Sequence, residues 1–207
     1  DSLKIANDES MKYKKSDLSL KIKHTEYYRS LKLKNSKNNY LENSSNYIFI
    51  VGMPRSGSTL LENILSLNPE VTDMGEVNFL EESIKEAKDF EDVYDLYERK
   101  VLNQFQSSII YTDKSLFNYM YCAVISNFFP KAKIINCIRN PLDNILSIYR
   151  ANFLKQSFSF SLTDISSLYV HYFETMEEYK IKYGENIYDY QYEDLITNSD
   201  NVIPGII

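Results

Sequence analysis

The sequence predicts a three-layer α/β fold in which helices cover both faces of a central parallel sheet. Three observations lead there. Short continuous apolar runs at residues 47–51, 109–111 and 133–138 read as strands buried on both faces. Helical stretches separate them, so the strands pair in parallel through right-handed crossovers. The first strand also runs straight into a glycine-bearing turn and a helix.

At 207 residues and 43% apolar, the chain can bury one substantial core, which argues for one domain with an appendage. Residues 11–33 carry an impure helical period among many lysines and read as one or two surface helices leading into the core. Polar residues 35–46 follow as a connector. The division expected is therefore an N-terminal helical extension and linker at 1–46, the remnant of an upstream helical region, and an α/β domain at 47–207. A Lys/Asn/Ser-rich beginning and a Pro204-Gly205 breaker just before the end suggest that neither terminus is native and that the domain is truncated at its C-terminus.

Within the domain, Tyr47-Ile48-Phe49-Ile50-Val51 is the first strand and Gly52-Met53-Pro54-Arg55-Ser56-Gly57 the turn after it. The helix from Ser58 places Leu61, Ile64 and Leu65 on one face. Helical pieces at 78–88 and 90–105 precede the strand at 109–111, and an aromatic-rich helix at 118–129 follows it. After the strand at 133–138, Pro141 stands where a first helical turn tolerates proline, and that helix is expected to reach about Leu154. A long helix near 163–182 and a strand at 187–191 complete the alternation.

Composition excludes some functions. A net charge of −6 provides no basic footprint for a nucleic-acid backbone. No apolar run approaches the roughly 20 residues of a membrane helix, and no signal segment is seen, so a soluble, cytoplasmic protein is expected. Cys122 and Cys137 lie in apolar runs without metal-ligand spacing, and His24 and His171 are far apart, so all four carry no cluster. The 18 tyrosines are scattered and read as packing residues.

The chemistry is carried by two stretches. Residues 52–59 fit a glycine, four residues, then Gly-Ser-Thr, a Walker-like phosphate loop in which Ser58 stands where the lysine would be. Backbone N–H groups and the following helix N-terminus can cradle an anion without that lysine, and Arg55 supplies a cation from inside the loop. Its loss weakens a triphosphatase reading, as does the lack of an acidic strand end of the Walker-B kind. Arg139 follows the third strand directly, with Ser147 two helical turns on, a fork and a hydroxyl suited to a second phosphate.

Together, Pro54-Arg55-Ser56-Gly57-Ser58-Thr59-Leu60 and Arg139-x-Pro141-x-Asp143-x-x-x-Ser147 resemble the P-loop sulfotransferases, whose fold is P-loop nucleoside-triphosphate-hydrolase-like. The motifs look most like those of tyrosylprotein sulfotransferases and bacterial sulfotransferases linked to tetratricopeptide repeats, with Gly75-Glu76 about one helix later. The resemblance implies transfer of a sulfuryl group from 3′-phosphoadenosine 5′-phosphosulfate (PAPS) to an acceptor hydroxyl on protein tyrosine, carbohydrate or a small alcohol. It releases 3′,5′-diphosphoadenosine (PAP) and needs no metal. It implies Glu76 as general base, and Arg55 and Lys114 as cations at the sulfuryl group. It places Arg55, Ser56, Gly57, Ser58 and Thr59 at the 5′ site, and Arg139, Ser147 and Tyr192 on the 3′-phosphoadenosine side. Read from the residues alone, Glu76 is equally an acid at a helix N-terminus and Lys114 a solvated loop lysine. A P-loop kinase or nucleotidase, and a non-catalytic nucleotide-binding module, are the alternatives.

Overall fold

A computed structural model describes residues 2–33, 45–129, 131–153 and 155–198. The four anticipated strands form, as β1 (Asn46–Gly52), β3 (Ile110–Asp113), β4 (Lys133–Ile138) and β5 (Ile187–Gln191). A further strand, β2 (Val71–Asp73), is one that the apolar pattern does not reveal. Its three residues are only partly buried, and it pairs along one side only, at the edge of the sheet. All pairings are parallel and the order is β2-β3-β1-β4-β5. From β1 the chain passes to the edge strand β2, returns to β3 beside β1, and then crosses to β4 and β5 on the other side. The crevice beyond the carboxyl ends of β1 and β4 is therefore the topological switch point where such sheets bind ligands.

Helices α3 (Ser58–Leu65), α4 (Phe79–Glu86), α5 (Val93–Gln104), α6 (Cys122–Phe128), α7 (Pro141–Ala151), α8 (Leu162–Tyr183) and α9 (Tyr192–Thr197) fill the connections. Helix α7 begins as its sequence predicts, with Pro141 in its first turn and the Asn140 side chain accepting from the N–H groups of Leu142 and Asp143. It stops at Ala151, where Asn152 turns left-handed at φ 44°, rather than at Leu154, which lies outside the described residues. The aromatic-rich segment opens as a 3₁₀ turn, Leu116–Tyr121, before becoming α6.

The N-terminal helical period resolves into α1 (Ser2–Tyr13) and α2 (Leu18–Ser30). Both lie against the α/β body. Asn7 donates to the Tyr149 carbonyl at 3.2 Å, Asp17 accepts from the Phe158 N–H at 2.8 Å, and Arg29 pairs with Glu178 on α8. Most of the connector at 35–46, and the chain after Asn198, fall outside the described residues.

The larger core lies under β1 and is aromatic. Tyr47, Phe49, Tyr97, Tyr111 and Phe129 are fully buried and meet mostly edge to face. A smaller cluster on the opposite face joins Ile50, Leu61, Leu65, Cys137, Tyr190 and Leu195. Cys122 and Cys137 are free and buried, and burial pushes both thiols up.

β3 ends in an acid after all. Asp113 is fully buried, with Tyr97 Oη donating to it at 3.0 Å, the Ser115 N–H at 2.9 Å and Asn118 Nδ2 at 3.2 Å. Burial raises its carboxyl to about 7, against the hydrogen bonds that lower it. The folded value lies above the unfolded one, so the folded state holds the extra proton, and this group's contribution to stability falls as pH rises from about 4 to 7. The variant Asp113→Asn can keep Oδ1 as acceptor for Ser115 and Asn118, with Tyr97 Oη now accepting from the amide nitrogen, and it removes the titration. Urea unfolding should show wild-type stability dropping relative to the variant across that window, by on the order of 1.4 kcal/mol per unit of pKa separation. Parallel pH profiles would show that Asp113 is not held this way.

Candidate active site

One residue at or just past the end of each strand points to a common rim. The loop after β1 carries Arg55 to Gly57, Glu76 follows β2, Lys114 follows β3, Arg139 follows β4 and Tyr192 follows β5. They surround a cleft of about 1420 Å³ whose walls include Arg55, Gly57, Ser58, Thr59, Glu76, Arg139 and Tyr192. Ser56, Lys114 and Ser147 do not line the cleft themselves, but each adjoins a residue that does.

The loop is held in a conformation that ordinary turns avoid. Arg55 is left-handed at φ 67° and Gly57 at φ 91°. At Gly57 the requirement is also spatial, because a Cβ there would come 2.2 Å from Tyr192 Cδ2. At a non-glycine residue such as Arg55 this conformation costs about 1–3 kcal/mol and persists where neighbours over-determine it, whereas Gly57 adopts it freely. Here Asn144 Nδ2 donates to the Pro54 carbonyl at 2.9 Å and Arg139 Nη1 to the Arg55 carbonyl at 3.1 Å. Gly57 then caps α3, whose first turn begins with Ser58 and Thr59.

The two motifs meet. Arg55 Nε donates to Ser147 Oγ at 3.2 Å, linking the loop to α7. The Arg139 guanidinium lies 4.9 Å from the centre of the Tyr192 ring, and its backbone carbonyl accepts from Tyr169 Oη at 3.2 Å. Glu193, next to Tyr192, accepts from the Asn140 N–H at 2.9 Å, so β4 and β5 present their exits together. Four polar atoms around this cradle are buried and lack a partner among the described residues: Ser56 Oγ, Arg139 Nε, Asn144 Oδ1 and Glu193 Oε2. Buried polar groups are ordinarily bonded, so a hydroxyl and a guanidinium N–H left open at a glycine loop fit an anionic group with several acceptor oxygens.

Across the cleft, Lys114 is buried at 7% exposure and its Nζ lies 3.2 Å from Glu76 Oε1. The Glu76 side chain is 71% exposed, so the pair joins an anchored cation to a carboxylate open to the cleft. Backbone bonds fix the two loops against each other. The Met74 N–H donates to the Thr112 carbonyl at 3.0 Å, and the Lys114 N–H to the Gly75 carbonyl at 2.9 Å.

The remaining wall is one that motif reading does not reach. Helix α2 presents Leu20, Lys23, His24 and Tyr27, and the segment after α7 adds Lys155 and Gln156. The signal available was their spacing, since residues 20, 23, 24 and 27 share one helix face. His24 packs edge-on against Tyr28 and Tyr121, and burial lowers its imidazole from the ordinary value.

The sequence matches the model of the sulfotransferase family over residues 47–108 and 90–207. A protein of Aquifex aeolicus described as uncharacterized is 28% identical over 187 aligned positions, which cover 77% of this chain and 25% of that one. The chain thus spans about a quarter of the length of this relative. Among solved structures, the sulfotransferase STF9 of Mycobacterium avium superposes with a TM-score of 0.50 at 12% identity, over 92% of this chain and 67% of its own. YorR of Bacillus subtilis, solved in complex with phosphorylated GDP, gives a TM-score of 0.48 at 14% identity, over 77% and 92%. The family match covers the whole α/β part, from β1 through the rim residues, and the chain belongs to the sulfotransferase family.

Proposed function

We propose that this domain transfers a sulfuryl group from PAPS to an acceptor hydroxyl. The observation that carries the reading is the open cradle, in which Ser56 Oγ and Arg139 Nε are buried without partners around a left-handed glycine loop at the switch point. In this reading, the loop from Arg55 to Thr59 and the N-terminus of α3 hold the 5′-phosphosulfate end. Arg139, Ser147 and Tyr192 serve the 3′-phosphoadenosine end, with Arg139 forking onto the phosphate.

When bound, the donor supplies the sulfuryl group. An oxygen–sulfur bond to the acceptor forms as the bond to the 5′-phosphate breaks, and its electron pair stays on the phosphate oxygen. Glu76 takes the acceptor proton from its exposed position at the cleft mouth. Arg55 and Lys114 stabilise the charge on the sulfuryl oxygens and the departing phosphate, in a site where positioning and electrostatics provide most of the acceleration. Glu76 and Lys114 are paired at 3.2 Å, and Arg55 lines the same cleft as Glu76. Glu76 has to exchange Lys114 for the acceptor hydroxyl, which its exposure allows. The cleft wall from α2, Phe153, Lys155 and Gln156 then faces the acceptor, beyond Glu76.

Calorimetric titration tests the donor site. PAP should bind with an affinity on the order of micromolar, with or without magnesium, and Arg139→Ala should weaken it at least about 10-fold, as the loss of a charge-assisted phosphate contact requires. Preference for ATP with magnesium would favour a kinase instead. A panel of phenols, tyrosine peptides, sugars and small alcohols with [³⁵S]PAPS then identifies the acceptor. With that acceptor, Glu76→Gln should cut turnover by roughly 10²–10⁴-fold while PAP affinity is kept, the signature of a lost general base. Unchanged turnover would remove Glu76 from that role.

A further inference from the structure

Glu62 has no part in the scheme above, yet it is an acid on the buried side of α3, beside Leu61 and Leu65, and only 4% exposed. Burying a carboxylate is costly unless it is paired and hydrogen-bonded. Its partners explain its position. Thr112 Oγ1 donates to Glu62 Oε1 at 3.2 Å, Lys114 Nζ lies 3.6 Å from Oε2, and the backbone N–H of Gly75 also donates to it. Burial pushes the carboxyl up, and these three partners, with Lys114 the largest, push it back toward ionisation, while Asp73 opposes them.

Thr112 comes from β3, and Lys114 and Gly75 from the two loops that carry the proposed chemistry. Thr112 precedes Lys114 by two residues and Gly75 immediately precedes Glu76. Gly75 is left-handed at φ 64°, which aims its N–H and the following residue in different directions. Lys114 itself stands between two carboxylates. One is Glu76, 3.2 Å away and 71% exposed, and the other is Glu62, 3.6 Å away with a side chain 5% exposed. The exposed acid can change partners and the buried one cannot.

We propose that Glu62 is a positioning residue of the site, a buried counter-charge that holds the Lys114 ammonium and the Gly75–Glu76 turn in register. It keeps Lys114 in place when Glu76 turns to the acceptor hydroxyl. Glu62 does not line the cleft, so it touches neither donor nor acceptor and acts through Lys114 and the turn. The inference rests on the roles given to Lys114 and Glu76 above.

The test is a double-mutant cycle between Glu62→Gln and Lys114→Met, read as turnover of [³⁵S]PAPS with the acceptor selected by the panel. Glu62→Gln keeps the volume and can still accept from Thr112 and Gly75 while losing the charge. Turnover should fall about 10²-fold, as for a misplaced catalytic group, with PAP affinity unchanged. In the Lys114→Met background the same change should cost almost nothing, since its partner is gone. Glu62→Asp, which restores the charge, should recover part of the loss. Wild-type turnover in Glu62→Gln, losses that simply multiply in the double variant, or a Glu62→Asp variant as slow as Glu62→Gln would each overturn the assignment. A wild-type chain that neither binds PAP nor transfers sulfate defeats the sulfotransferase reading itself, and this inference falls with it. Wild-type transfer with an unimpaired Glu62→Gln defeats only the role of Glu62.

Discussion

The site depends on how closely the loop after β1 approaches the exits of β4 and β5. Gly57 has room for no Cβ because the Tyr192 ring occupies that space, and the same ring carries the Arg139 guanidinium. Arg139 in turn holds the Arg55 carbonyl, and Arg55 reaches Ser147 on α7. Loop, strand exits and helix are thus one interlocked unit. Strain at Arg55 is maintained because Arg139 and Ser147 hold the residue from both sides. Bonds within the chain thus define the shape of the cradle.

The other half of the cleft is built by different means. Lys114 and Glu76 come from adjacent strands on the far side of β1, and their loops are stitched by backbone bonds between Met74, Gly75, Thr112 and Lys114. Beneath them lie two buried acids with distinct surroundings. Asp113 is enclosed by Tyr97, Ser115 and Asn118 and supports the turn after β3. Glu62 faces Lys114, its Oε2 lying 3.6 Å from Nζ. A parallel sheet therefore collects five residues distant in sequence on one rim, and the buried polar network below sets where two of them stand.

Much of the architecture was legible because strands buried on both faces read as continuous apolar runs, and β1, β3 and β4 are such strands. β2 was not, since Val71-Thr72-Asp73 is short, partly exposed and at an edge. That omission matters for Glu76. Without β2 it reads as an acid near the start of α4, and only the family resemblance marked it; with β2 in place it follows a strand end like the other rim residues. The acidic end of β3 was overlooked because the apolar run was read as ending at Tyr111, whereas the strand continues to Asp113, which is fully buried. The α2 wall of the cleft was legible only as a surface helix, because a sequence does not say which solvent-side face will meet a cavity. Glu62 left no pattern at all, since one acid within an apolar period looks like a solvated position until tertiary contacts enclose it.

A crystal structure of the chain with PAP bound would test the central claim most directly. The account places the 5′-phosphate against the loop from Arg55 to Thr59, within hydrogen-bond reach of Ser56 Oγ or its neighbours, and the 3′-phosphate on Arg139 with its Nε engaged. A nucleotide seated elsewhere, or one whose 3′-phosphate leaves Arg139 Nε unpartnered, would contradict it.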